Sequence, residues 1–129
     1  MPLEIKLQKD VGSQSAAGAT VKLTGSLDTS TAPELERQLA ELLKVEEGIT
    51  EIVFDLAQLK FISSAGLRIF GATRKQLKER QGQTLFIHLQ PQIQEVFDII
   101  KSLPGVAIFK NVAELDSYLA ARQRSHLGS

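Results

Sequence analysis

EIVFDLAQLKFISSAGLRIFGATRKQLKER, residues 51–80, reads as a strand, a short crossing and a helix that opens on serine. The strand is Ile52-Val53-Phe54, ending at Asp55-Leu56. A near-continuous apolar run flanked by charge predicts a central strand covered on both faces. The chain is then expected to turn through Gln58-Leu59-Lys60, with Phe61-Ile62 carrying it back over the sheet edge. Ser63-Ser64-Ala65-Gly66-Leu67 opens a helix with apolar Leu67, Phe70 and Leu77 and charged Arg68, Arg74, Lys75, Lys78 and Glu79. Ser63 and Ser64 compete for the N-cap, because a serine hydroxyl accepts a bond from an otherwise unpaired backbone N–H. One of the pair is expected to cap and the other to point its hydroxyl at solvent. A serine here has a second use. The first turn of a helix offers free N–H donors and the positive end of the dipole, so a phosphate is tolerated there. Gly66 leaves room for the backbone of a partner to approach. From the residues alone, cap and phosphate acceptor both stay open.

The run DLAQLKFISSAGLR resembles the signature of the STAS domain, specifically of the anti-sigma-factor antagonists. In that family a strand ends in Asp plus an aliphatic residue, an apolar pair follows, and [DS]-S-[STA]-G-L opens a helix. Asp55, Leu56, Phe61, Ile62, Ser64, Gly66 and Leu67 match. The resemblance implies phosphorylation of Ser64, two residues before the glycine. The preceding residue is often aspartate in the family and is Ser63 here. That removes a negative charge beside the acceptor and leaves a second hydroxyl.

A second stretch, GSLDTSTAPELE at residues 25–36, carries more of the resemblance. Gly25 is expected to break the preceding strand. Thr31-x-x-Glu34 fits a capping box, with Pro33 in the first helical turn. Leu35, Leu39, Leu42 and Leu43 follow helical spacing until Gly48. The antagonists carry G-x-[LIV]-D-x-x-[TN]-A at this point, matched by Gly25, Leu27, Asp28, Thr31 and Ala32; Ser26 replaces their frequent glutamate. The resemblance implies that this loop lies beside the phosphorylated serine. Asp28, Thr29, Ser30 and Thr31 would then share a partner-binding surface with Ser63, Ser64, Ala65, Gly66 and Arg68. Arg68, four residues beyond Ser64 on the same helix side, would partly neutralise a phosphate. By its residue type alone, Asp28 also fits a turn former bonding its own backbone.

The remaining segments complete an α/β pattern. Leu3–Gln8 and Thr20–Thr24 alternate in polarity and predict a hairpin around a small-residue loop, Val11–Ala19. After a turn at Gly82, Thr84–Leu89 predicts a strand containing His88 as a structural residue. Pro91 opens a helix with Ile93, Val96, Phe97 and Ile100 on one face, ended by Leu103-Pro104-Gly105. Val106–Phe109 predicts a short strand. Asn111-x-x-Glu114 caps a last helix with Val112, Leu115 and Leu119 inward. The expectation is one STAS-like α/β domain over residues 1–121, with a mixed, mostly parallel sheet of about five strands, an N-terminal antiparallel hairpin and about four helices. Residues 122–129 are expected to form a frayed tail.

Composition narrows the function. The 15 basic and 15 acidic residues among 129 give no electrostatic reason to expect nucleic acid or an acidic membrane surface. Without cysteine, thiolate catalysis and disulfides are excluded. No secretory signal and no membrane span is read, so a cytoplasmic protein is expected. His88 and His126 are the two histidines and assemble neither a metal site nor a triad. Ile62-Ser63-Ser64-Ala65-Gly66 half resembles a nucleophile elbow but lacks its first glycine, so an enzyme is not expected. No cofactor is expected either. The resemblance implies a partner switch. The unphosphorylated protein binds an anti-sigma factor that is also a serine kinase, phosphorylation on Ser64 releases it, and a serine phosphatase resets the cycle. The alternative is a STAS scaffold or sensor module that assembles with other regulators without being switched.

Overall fold

The computed structural model describes residues 2–10, 17–102 and 112–127. Its elements are β1 (Leu3–Asp10), β2 (Ala17–Leu27), α1 (Ala32–Val45), β3 (Ile49–Ile62), α2 (Ser64–Glu79), β4 (Gln83–Ile87), α3 (Pro91–Ser102) and α4 (Val112–Leu127). Among the described residues the sheet has four strands in the order β1-β2-β3-β4. The hairpin β1–β2 is antiparallel, and β2–β3 and β3–β4 are parallel. Each parallel pair is joined through a helix, as such pairs require. The strand expected at Val106–Phe109 lies outside the described residues, as do Leu103-Pro104-Gly105, the Asn111 cap and most of the Val11–Ala19 loop, whose last three residues belong to β2.

β3 corrects two expectations. It does not turn at Gln58. It runs unbroken to Ile62, with Gly25, Ser26 and Leu27 of β2 paired to Leu59, Phe61 and Ile62. The pairing survives because register shifts at Lys22/Thr24 and Gly25/Ser26 absorb the mismatch. Gly25 therefore kinks β2 rather than ending it. Its φ is +108°, and a Cβ there would stand 2.0 Å from the carbonyl oxygen of Pro2. Nor is β3 covered equally on both faces. Ile52, Phe54 and Leu56 are fully buried, while Val53 and Asp55 between them are half-buried. The same alternation marks β2, where Val21 and Leu23 are buried and Lys22 and Thr24 exposed. One face of the sheet is thus the core face, and the helices build onto it.

The core face is centred on rings. Phe54 of β3 packs against Phe70 of α2 at 4.7 Å and Phe86 of β4 at 5.4 Å, and Phe97 of α3 meets Phe86 edge-on at 5.2 Å. In α1 the four leucines expected on its apolar stripe, Leu35, Leu39, Leu42 and Leu43, are all buried. In α2 the buried stripe is Gly66, Ile69, Phe70, Thr73 and Leu77. Leu67 is half-buried and packs against the core from the edge of this stripe, so it lies on the inner side as expected but less enclosed than its neighbours. In α3, Ile93 and Val96 are buried, with Phe97 and Ile100 partly so.

Two further expectations change. His88 follows β4 rather than lying within it, with φ +59°, and its Nδ1 sits 3.1 Å from Asp55 Oδ1. The frayed tail expected from Arg122 is replaced by helix, since α4 continues to Leu127 and Gln123 is completely buried. Gln123 is held there by buried backbone groups of β3, a long-range contact that no local pattern announces.

Candidate functional site

Strands β2 and β3 end side by side. Leu27 pairs with Ile62, and the N–H of Ser63 donates to the carbonyl of Leu27 at 2.9 Å. The two loops of interest therefore leave adjacent parallel strand ends, the usual ligand side of an α/β sheet.

The first loop is organised by Asp28. Its Oδ1 accepts bonds from the N–H of Ser30 (3.0 Å), the hydroxyl of Ser30 (2.8 Å) and the N–H of Thr31 (3.1 Å). Its carbonyl takes the N–H groups of Thr31 and Ala32. This is the turn-forming behaviour open to an Asp here, and it does the work of a helix cap. The capping box expected between Thr31 and Glu34 does not form. Thr31 is already in the helical region and makes no side-chain cap bond. Its hydroxyl instead donates to the carbonyl of Ser26 (2.8 Å) and accepts the N–H of Asp28 (2.9 Å), while Glu34 pairs with Arg37. Thr29 and Ser30 are left exposed at the loop tip.

Burial pushes the Asp28 carboxyl up, but the bonds from Ser30 and Thr31 outweigh it and hold its pKa below the ordinary value. A depressed carboxylate stabilises the fold above its unfolded pKa of about 4, and that contribution is lost as pH falls through the folded value. Asp28→Ala should therefore lower stability by about 0.5–2 kcal/mol at neutral pH, the usual cost of removing a cap. In urea titrations the gap between parent and variant should narrow in acid; a gap that widens instead would contradict the assignment.

The second loop is the β3–α2 junction. Ser63 occupies the N-cap position in extended conformation (φ −106°, ψ 177°), yet its hydroxyl makes no capping bond. The cap comes from α4: Asp116 Oδ1 accepts the N–H of Ser64 at 2.8 Å. A carboxylate at a helix N-terminus forms a charge-assisted bond and meets the positive end of the dipole, so it outcompetes a neutral hydroxyl. Neither serine caps, and neither points its hydroxyl at solvent. Ser63 Oγ and Ser64 Oγ are both buried and have no hydrogen-bond partner among the described residues. Ser63 as a residue is 5% exposed, whereas Ser64 and Ala65 are half-buried and Arg68 is exposed. Gly66 serves the chain's own packing instead of a partner's backbone. It is buried, and a Cβ there would lie 2.7 Å from Leu27 Cδ2 and 2.9 Å from Ile62 Cγ1.

Sequence reasoning missed Asp116 and Gln123. The Gln123 amide accepts the N–H of Ile62 (2.8 Å) and donates to the carbonyl of the same residue (2.6 Å). Beside Ser63, a cleft of about 350 Å³ is lined by Thr29, Phe61, Ser63, Asp116 and Arg124, among others. Among the described residues no cluster of three or more His, Asp or Glu suits a metal ion, and no helix is long and apolar enough to cross a membrane.

The STAS domain profile matches residues 7–115. The chain belongs to the STAS domain family, among the anti-sigma-factor antagonists. It is 40% identical over 77 residues to the putative anti-sigma factor antagonist BtrV of Bordetella bronchiseptica, covering 60% of this chain and 65%, just under two thirds, of that protein. It is 31% identical over 90 residues to the anti-sigma-B factor antagonist of Listeria monocytogenes, covering 70% of this chain and 76% of that one. Among solved structures, the anti-sigma factor antagonist SpoIIAA in its unphosphorylated form superposes with a TM-score of 0.57 at 18% identity, covering 73% of this chain and 83% of that one. At that identity the likeness speaks for the fold.

Proposed function

We propose that this chain acts by partner switching, binding an anti-sigma factor with serine kinase activity while Ser64 is unmodified and releasing it once Ser64 is phosphorylated. The observation that carries the reading is the position of Ser64, the half-buried first residue of α2, whose enclosed hydroxyl has no bonding partner among the described residues, next to a loop whose tip is exposed Thr29 and Ser30. An unpaired buried hydroxyl costs about 1–3 kcal/mol, so no hydrogen bond opposes rotation of the side chain out of its present rotamer. Rotation to another staggered well presents Oγ to a kinase. There Oγ attacks the γ-phosphorus of ATP; the new O–P bond forms as the bond to ADP breaks, and the hydroxyl proton leaves to a base on the kinase. Ser63, more deeply buried, is the poorer acceptor. A dianion placed in a packed interface brings desolvation and like-charge repulsion, and exposed Arg68 neutralises only part of it. A serine phosphatase would reverse the step. In this reading Asp28 acts by holding Thr29 and Ser30 in place.

The test is radiolabel transfer from ATP by the cognate anti-sigma kinase. Ser64→Ala should lose the label and stay bound to the partner, Ser63→Ala should be labelled normally, and Ser64→Asp should bind at least about tenfold more weakly, as loss of a charge-compatible contact implies. Label lost only from Ser63→Ala would move the acceptor to Ser63. Equal binding by Ser64→Asp and the parent would overturn the switch.

A further inference from the structure

α4 grips the junction that carries Ser64. Ile62 gives both its N–H and its carbonyl to the fully buried Gln123, and Ser64 gives its N–H to Asp116. Asp116, Leu119 and Gln123 follow at i, i+3 and i+7, so a single face of α4 makes these contacts, with Leu119 completely buried between them. The backbone of Ser63 is held separately, by Leu27. The N–H at the start of α2 is the group a phosphate on Ser64 would seek, and a carboxylate already holds it.

We propose that Asp116 is a latch that couples the state of Ser64 to α4. The proposal rests on the reading of Ser64 as the site of charge. A phosphate adds roughly 1.5–2 negative charges on the residue whose backbone N–H the Asp116 carboxylate holds, and two anions compete for that one donor. The carboxylate is expelled, and α4 loosens from its Asp116 end while Gln123 remains the pivot. The adjoining cleft can receive the phosphate. It is lined by Arg124 as a cation, by the buried, unpartnered Ser63 hydroxyl as a donor and by Asp116 itself, whose departure clears the place. A partner would then meet two changes, the new charge on α2 and a displaced α4.

Phosphoserine incorporated at position 64 during translation tests this without any kinase, so a failure here is separate from a failure of the labelling experiment. Amide exchange by mass spectrometry should show residues 113–120 exchanging about tenfold faster in the phosphoserine protein than in the parent, as loss of a charge-assisted bond implies, with a smaller change near Gln123. Asp116→Asn keeps an acceptor for the N–H without the charge. With Ser64 unmodified it should exchange modestly faster than the parent, because the bond to Ser64 loses its charge assistance, and phosphoserine should then add little further acceleration. Unchanged protection of α4 in the phosphoserine protein, or equal acceleration in Asp116→Asn, would overturn the proposal. Should phosphoserine unfold the chain, recovery of folding in Asp116→Asn supports the latch, and continued unfolding in that variant refutes it.

Discussion

Phe54→Ala should lower the unfolding free energy by about 3–5 kcal/mol, the usual cost of removing a buried phenylalanine ring. Phe54 is completely buried in the middle of β3. Its ring lies 4.7 Å from that of Phe70 and stacks on Phe86 at an interplanar angle of 12°. Truncation removes these ring contacts as well as apolar area and leaves a cavity between the sheet and α2. Against a total stability of about 5–15 kcal/mol, the loss is large enough to leave a marginal fold. Chemical denaturation followed by circular dichroism would measure it, with Phe54→Leu expected to lose much less because it fills part of the space. A variant within about 1 kcal/mol of the parent would place the core elsewhere, since only surface changes are usually so mild.

Gln123→Leu should also destabilise strongly, by about 2–5 kcal/mol, although it puts a hydrophobic residue into a buried site. Leucine is close in size, so packing is not the main loss. The variant leaves the N–H and carbonyl of Ile62 without their partner, at about 1–3 kcal/mol for each unsatisfied buried group. Gln123→Glu makes the sharper comparison. It keeps an acceptor for the N–H but removes the donor for the carbonyl, and at neutral pH it brings a charge into a fully enclosed place. Urea midpoints below the parent for both variants are expected. A Gln123→Leu protein as stable as the parent would mean that α4 is fastened by its leucines alone.

Much of the molecule was legible from residue patterns. Alternating polarity marked β1 and the start of β2, leucines at helical spacing marked α1, and the strand–helix order implied crossovers. All of these signals are local. They depend on which face of a strand or helix must be apolar, and neighbouring residues carry that information. The extent of β3 was misjudged because polar Gln58 and Lys60 look like a turn, yet β2 supplies a pairing partner for the whole length. The two-sided burial expected of β3 failed for a related reason. The run Ile52–Leu56 is continuously apolar only as far as Phe54, and its side chains still alternate between the core face and the other one.

The candidate site divides in the same way. The sequence by itself marked out the two loops, the serine pair at a helix start and the turn-forming Asp28, because each is written in a few consecutive residues with known backbone preferences. Only the tertiary structure decided which group caps α2. Two serines at the right position lost to Asp116, which is 52 positions beyond Ser64 and wins because a charged acceptor suits the helix N-terminus better than a hydroxyl does. It likewise turned Gln123 from an expected tail residue into a clamp on Ile62, 61 positions away. Bonds of that separation depend on where α4 docks, and docking is settled by the burial of Leu115 and Leu119 and by the unpaired backbone of β3 together.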